Sequence, residues 1–296
     1  QQLLFAAVLE EGTKVLAPGP HYPPYMAYPQ MFGAETIEYQ LHSNDGWKPD
    51  FSDIAEKMDD SVRLLVLINP NNPCGTVCGA DDIDALLEIA RRYPNCIVVA
   101  DEIYDGLDFT GEHVSVASRS DDVPVVALNG VSKVYYAPGW RIGYMALHDP
   151  TNRMGLVRDG LERLLRSRLC ASTPAQVGYL AGLEHDRGWM ETYSERVLRR
   201  RDHCLKRIAQ IDGLEVEQPG GAFYMFVRLT DERWANDDKA FVLQLLHEEH
   251  VLLVHGSGFS PQLGKGHVRL VYLVTLEVLD EVFDRIERFL KKHRGH

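Results

Sequence analysis

Ser132-Lys133 and, eight residues after the lysine, Arg141 stand in one glycine-containing stretch, Val131 to Gly143. A hydroxyl, an amine and a guanidinium close together in sequence can hold an anion and offer a reactive nitrogen. The residues before them, Val123 to Leu128, are apolar and β-prone, so the stretch opens where a buried strand ends. Open α/β sheets bind their ligands at such ends. Alone, a loop lysine is most simply a solvated one. Two other strand ends change that. Asn69-Pro70-Asn71-Asn72-Pro73-Cys74-Gly75 follows the apolar run Arg63 to Ile68. Two X-Pro steps and a closing glycine make a rigid turn, and asparagine amides can donate to a ligand oxygen as well as form turns. Cys96 to Ala100 runs into Asp101-Glu102-Ile103-Tyr104. A carboxylate ending an apolar strand is a cap or a loop residue, or it is buried at a cost that a cation must offset.

Three strand ends thus present an amide, a carboxylate with a phenol, and an amine. A cluster at one sheet edge says more than any member alone. Pyridoxal phosphate would use all of them. Its aldehyde forms a Schiff base with a lysine, and its ring nitrogen stays protonated beside a buried aspartate. Its phenolate oxygen needs donors, which asparagine and tyrosine supply. Its phosphate takes a hydroxyl and a cation such as Ser132 and Arg141.

The elements that position these groups follow from pattern. Short strands are predicted at Val15 to Ala17 and Thr36 to Tyr39, and buried ones at Arg63 to Ile68, Cys96 to Ala100 and Val123 to Leu128. Helices are predicted at Phe51 to Met58, with Asp50 as N-cap, and at Asp81 to Arg92, acidic at its start and basic at its end. Strands alternating with helices give an α/β fold, a mostly parallel sheet of the seven-stranded type sandwiched by helices. After Pro150 the texture changes. Helices are read at Thr151 to Arg168, Pro174 to His185 and Trp189 to Ile211. Further on come strands at Glu215 to Glu217, Phe223 to Leu229, Val251 to Val254 and His267 to Leu273, and helices at Asp237 to His250 and Leu276 to Lys292. We expect a large domain over residues 1–188 and a smaller C-terminal α+β domain over 189–296, joined by the helix 189–211.

With these motifs in order, the chain resembles the fold-type I pyridoxal-phosphate aminotransferases of the aspartate aminotransferase superfamily, class I/II. The resemblance rests on Pro18-Gly19-Pro20-His21-Tyr22-Pro23-Pro24-Tyr25, Asn69 to Gly75, Asp101 to Tyr104, Ser132-Lys133 with Gly139 to Gly143, and His267-Val268-Arg269-Leu270. Val254 to Phe259 with His267 to Leu273 is most similar to alanine-aminotransferase-like members. The resemblance implies that Lys133 carries the cofactor and later moves the substrate α-proton. It implies that Asp101 pairs with the pyridinium and that Tyr104 and Asn72 hold the phenolate oxygen. Tyr22 would stack on the ring, and Ser132 and Arg141 would bind phosphate. Arg269, assisted by Asn72, would fork onto the substrate α-carboxylate, a task that suits a planar guanidinium. It further implies ping-pong transfer between an amino acid and a 2-oxo acid, most naturally 2-oxoglutarate, in a homodimer. Another reaction on the same cofactor, a carbon-sulfur lyase or decarboxylase, and a non-catalytic cofactor-binding regulatory module are the alternatives.

Gln1 to Glu10 reads as the inside of an amphipathic helix without an N-cap or an initiator methionine, so the sequence is expected to begin within a larger protein. Family members carry a further segment there that completes the phosphate site. Cys74 and Val274 stand where threonine and proline are common in the family.

Composition bounds the rest. In 296 residues, 45% are hydrophobic and 25% charged, ordinary for a globular chain. A net charge of −12 argues against non-specific nucleic-acid binding and against anionic membrane surfaces. No apolar run approaches the roughly 20 residues of a membrane span. Five scattered cysteines fit free thiols in a reducing cytoplasm. Cys74 and Cys78 lack a second pair, so no metal site is expected. His247-Glu248-Glu249-His250 falls one residue short of metalloprotease spacing. Gly256-Ser257-Gly258 is a turn, and Arg199-Arg200-Arg201 a solvated helix face.

Overall fold

The computed structural model describes residues 1–186 and 188–294. Its first half runs α1 (Gln2–Val8), β1 (Lys14–Gly19), α2 (Pro24–Gln30), β2 (Glu35–His42), β3 (Lys48–Pro49), α3 (Phe51–Lys57), β4 (Val62–Ile68), α4 (Ala80–Ala90), β5 (Ile97–Asp101), β6 (Val125–Gly130) and β7 (Gly143–His148). Its second half runs α5 (Gly155–Arg168), α6 (Thr173–Glu184), α7 (Gly188–Ile208), β8 (Leu214–Val216), β9 (Tyr224–Leu229), α8 (Glu232–Asn236), α9 (Asp238–Glu249), β10 (Val254–His255), β11 (His267–Val271) and α10 (Leu276–His293).

β3-β2-β1-β4-β5-β6-β7 form one seven-stranded sheet. Its five inner strands are parallel, and the two edge strands, β3 and β7, pair antiparallel. The central strands β4, β5 and β6 read as apolar runs because both faces are covered. Leu64, Val66 and Ile68 point into a core with Leu4, Phe5 and Tyr25 of α1 and α2. Leu65 and Leu67 point the other way, into a core with Ile54 of α3 and Ile83, Leu86 and Leu87 of α4. Each such side chain taken from water contributes about 1.5–3 kcal/mol.

The second sheet, β10-β11-β9-β8, is wholly antiparallel. It packs on α7, α9 and α10. Leu279, Phe283, Ile286 and Leu290 recur at helical spacing along α10 and face Phe241 and Leu245 of α9 and Val197, Cys204 and Ile208 of α7.

Local rules hold at some ends and fail at others. The Asp50 carboxylate caps α3 by accepting from the Ser52 and Asp53 amides. α4 carries Asp81 and Asp82 in its first turn but closes at Ala90, so Arg91 and Arg92 lie in the turn beyond it. α5 starts at Gly155, after a turn that the pattern had merged into the helix. Val251 to Leu253 buries Val251 and Leu253 but finds no ladder partner, so pairing is confined to Val254 and His255. β7 is absent from the pattern because its side chains are half-exposed, and its pairing with β6 makes it a strand.

Candidate active site

Register brings the chemistry together. Ile68 of β4 pairs with Asp101 of β5, and Asp101 with Leu128 of β6, so β4 and β5 end level and β6 runs two residues further, to Gly130. The chain winds outward from β1 to β2, then crosses back to β4 on the other side of β1. A crevice opens at such a reversal, beyond the carboxyl ends of the strands. There lies a cavity of about 640 Å³ lined by Tyr22, Asn72, Asp101, Tyr104, Ser132, Lys133 and Arg141. All seven of these side chains, chosen from sequence, share it. Arg269 does not line it. It stands one layer back, with Nη1 donating to the Asn72 Oδ1 at 2.8 Å.

The loop after β4 shows why one asparagine of three is available. Asn69 donates to the Cys78 carbonyl and accepts from the Cys78 amide, both at 2.9 Å. Asn71 accepts from the Cys74 amide. Both therefore build the turn. Asn72 accepts from Arg269 through Oδ1, and its Nδ2 makes no hydrogen bond with a described residue. Gly75 closes the turn with φ of 75°, and an added Cβ would stand 2.5 Å from the Pro219 Cβ. The Gly221 amide donates to the Gly75 carbonyl at 2.8 Å. This close approach ties the loop to the lead-in of β9, beside β11 and Arg269.

Asp101 is buried at the end of β5. One oxygen accepts from the Tyr25 hydroxyl at 2.7 Å and from the Gln1 amide at 2.9 Å. Burial pushes its pKa above the usual carboxylate range, against these donors and the Ile103 amide. It makes no ion pair with a described residue. A buried carboxylate held by neutral donors at the wall of a cavity suits a cationic ring nitrogen.

Lys133 is half-buried in the loop after β6, its Nζ 5.9 Å from the Tyr104 ring and 5.8 Å from that of Phe223. Burial, and then the charge of Arg269, lower its pKa, while Asp101 opposes the shift. Arg269 lies between aromatic faces, 4.5 Å from the Tyr224 ring and 4.7 Å from that of Phe259. Its Nε is buried without a hydrogen bond, and it makes no ion pair with a described residue. Burial lowers its pKa too. A cation so placed lacks an anion. Arg141 sits at φ of 52°, with Nη1 donating to the Pro138 carbonyl.

Sequence reasoning missed several supporting groups. Tyr25 belongs to the Pro18 to Tyr25 motif, but nothing in a phenol's position one helical turn past Tyr22 signals a bond to Asp101. Tyr224 pairs its hydroxyl with that of Tyr104 at 2.9 Å. His21 is buried: its amide donates to the Phe259 carbonyl, and its ring stands 3.2 Å from one carboxylate oxygen of Glu38, whose other oxygen accepts from Ser260. This bridge ties the Tyr22 segment to the loop backing Arg269. Among the described residues no group of histidine, cysteine or acidic side chains is placed to hold a metal. Nor is any described helix long and apolar enough to cross a membrane.

The model of the family described as aminotransferase class I and II matches residues 1–286. The chain belongs to that family, and it is a pyridoxal-phosphate-dependent transaminase. It is 35% identical over 296 residues to the glutamate-pyruvate aminotransferase AlaA of Haemophilus influenzae, covering 97% of this chain and 72% of that one. It is 32% identical over 292 residues to an alanine aminotransferase of Mycobacterium tuberculosis, covering 97% and 68%. Among solved structures it resembles an alanine aminotransferase from Pyrococcus furiosus, with a TM-score of 0.95 and 43% identity over 99% of this chain and 74% of that one.

Proposed function

We propose that the chain exchanges an amino group between a small amino acid and a 2-oxo acid, with alanine or glutamate as donor and pyruvate or 2-oxoglutarate as acceptor, in two half-reactions at one site. The observation that carries this is the convergence of Lys133 and the buried Asp101 on one cavity, with the unpaired Arg269 guanidinium behind Asn72. The names of the relatives support the substrate pair.

Asp101 would face the pyridine nitrogen, Tyr104 and the Asn72 Nδ2 the phenolate oxygen, and Ser132 and Arg141 the phosphate. Tyr22 would cover the ring. When bound, pyridoxal phosphate supplies the carbon that takes up the amino group and the electron sink that makes the substrate α-proton acidic. The chain's residues do the rest. Arg269 takes the substrate carboxylate on its fork, held in plane by the Asn72 Oδ1 and two ring faces. That grip presents the α-proton to the Lys133 Nζ. Lys133 takes this proton and returns it to the other carbon. Burial and the charge of Arg269 lower its pKa, which shifts it toward the neutral amine that this work needs.

We read residues 1–188 as the cofactor-binding unit and 189–296 as the unit that brings Arg269. We also read the working enzyme as a homodimer. The exposed Leu156, Leu165, Leu169, Val177 and Leu180, on and beside α5 and α6, support a covered face. The test is a panel of amino donors and oxo acids with the cofactor-loaded protein, each half-reaction followed by the cofactor's absorbance. Exchange with alanine or glutamate is expected. Ammonia and pyruvate released from a sulfur amino acid with no oxo acid present would replace this reading with a lyase. Cofactor bound without any exchange would replace it with a regulatory module.

A further inference from the structure

Tyr104 and Arg269 each have a task above, but the side chain that touches both does not. Tyr224, on β9, is 4% exposed. Its hydroxyl lies 2.9 Å from that of Tyr104, and its ring lies 4.5 Å from the Arg269 guanidinium carbon. Asn72 continues the chain by accepting from Arg269. Phenol, phenol, guanidinium and amide thus run in contact from Tyr104 in the cavity wall, through Arg269 behind it, to Asn72 in the wall again.

A tyrosine hydroxyl has one proton to give. Of two facing hydroxyls, one donates and the other accepts. The Tyr224 hydroxyl makes no other hydrogen bond with a described residue, so among the described residues Tyr104 is the acceptor open to its proton. If Tyr224 donates, the Tyr104 proton is free to point into the cavity that Tyr104 lines. The reverse arrangement spends that proton on Tyr224 and turns lone pairs toward the ligand. An anionic ligand oxygen beside Tyr104 selects the first arrangement.

We propose that Tyr224 is a positioning residue that fixes the Tyr104 hydroxyl as a donor into the cavity and offers its ring face to Arg269. The inference rests on the reading that Tyr104 meets the cofactor's phenolate oxygen and Arg269 the substrate carboxylate. One residue then sets the donor on the cofactor side and the cation on the substrate side. Its two parts do different work. The hydroxyl proton strengthens the Tyr104 donor, because hydrogen bonds in a chain polarise one another. The ring steadies the guanidinium.

Donation to the phenolate oxygen spreads its charge and weakens its hold on the proton of the neighbouring lysine-linked nitrogen. The pH midpoint of the bound cofactor's absorbance therefore falls when the donor is strong and rises when it is lost. Tyr224→Phe removes the proton and keeps the ring. Its midpoint is expected to rise by a few tenths of a unit, against about one to two units for Tyr104→Phe. In the Tyr104→Phe background, Tyr224→Phe should add nothing, since it acts through the hydroxyl already gone. The donor KM should hold in Tyr224→Phe but rise about twofold to thirtyfold in Tyr224→Leu, which loses the ring. Far-UV circular dichroism of each variant checks the fold. A fall in the Tyr224→Phe midpoint, or the same shift with and without the Tyr104 hydroxyl, overturns the inference while leaving the site reading intact. An unmoved midpoint in Tyr104→Phe sinks the reading of Tyr104 and this inference with it.

Discussion

Replacing Arg269 by methionine separates what the side chain does for the fold from what it does for the substrate. In the ligand-free protein its guanidinium has one hydrogen bond, to Asn72, a buried Nε with no partner, and no ion pair with a described residue. Methionine fills the slot between Tyr224 and Phe259 with apolar atoms, and sulfur packs well against rings. The stability lost should be no more than the roughly 1.5–3 kcal/mol of one hydrogen bond from a charged donor, offset by relief of a half-buried charge. Substrate binding reverses the balance. A carboxylate on the fork accepts two charge-assisted bonds worth about 1.5–3 kcal/mol each. Arg269→Met should therefore lower kcat/KM by about 100- to 25,000-fold, and Arg269→Lys, which keeps the charge but not the fork, by about 10- to 150-fold. The assay compares an amino acid with the amine that lacks its carboxylate. The parent enzyme should prefer the acid, and the methionine variant should lose that preference. A second readout follows from Lys133, whose pKa Arg269 helps to lower. In cofactor-free Arg269→Met, Lys133 should need a higher pH to react with an amine-directed reagent. If the methionine variant kept its activity within tenfold and still preferred the acid, the carboxylate would be bound elsewhere.

Other outcomes can be checked more briefly. Lys133→Ala should cut turnover at least about 100- to 10,000-fold, the range of a lost acid-base group, while cofactor still co-elutes with the protein on gel filtration. Asp101→Asn addresses a carboxyl whose folded pKa is raised by burial, so its penalty is absent below the unfolded value and grows as pH rises through the folded one. Cofactor-free Asp101→Asn should accordingly melt higher than the parent at neutral pH, lose that advantage near pH ~4, and bind cofactor less tightly; a lower melting point at every pH would contradict the assignment. Tyr25→Phe deletes a donor that holds the Asp101 pKa down, so it should weaken cofactor affinity with little change in the far-UV spectrum. Phe283→Ala, on the buried face of α10, should cost about 3–5 kcal/mol in denaturant unfolding and leave the KM of the remaining folded enzyme unchanged.

Much of the sheet was legible because its strands are buried on both faces. Arg63 to Ile68, Cys96 to Ala100 and Val123 to Leu128 leave no periodicity to misread, and the polar residues that end them mark where the core stops. Edges were less legible. β7 is half-exposed, and β3 is two residues of which one is proline, so pairing alone defines them. The same contrast divides the site. Lys133, Asp101 and Asn72 announce themselves as charged or amide groups at apolar strand ends. Tyr25, Tyr224 and His21 do not, since an aromatic or histidine in an apolar stretch looks like core until its polar atom has a partner.

By itself, then, the sequence determined which strands are buried, which side chains leave their ends, and the family whose motifs those ends spell in order. These are local properties, set by the alternation of apolar runs with turns and by the chemistry of single residues. Only the tertiary structure decided the register in which Ile68, Asp101 and Leu128 lie side by side, so that an amide, a carboxylate and an amine just beyond them share one cavity. It alone placed Arg269, 136 residues beyond Lys133, behind Asn72 rather than in the cavity wall. It alone showed that Asn69 and Asn71 are consumed by their turn. Register, partner choice and desolvation depend on residues far apart in the chain, and a hydrogen bond such as that between Tyr104 and Tyr224 exists only once the loop after β5 has met β9.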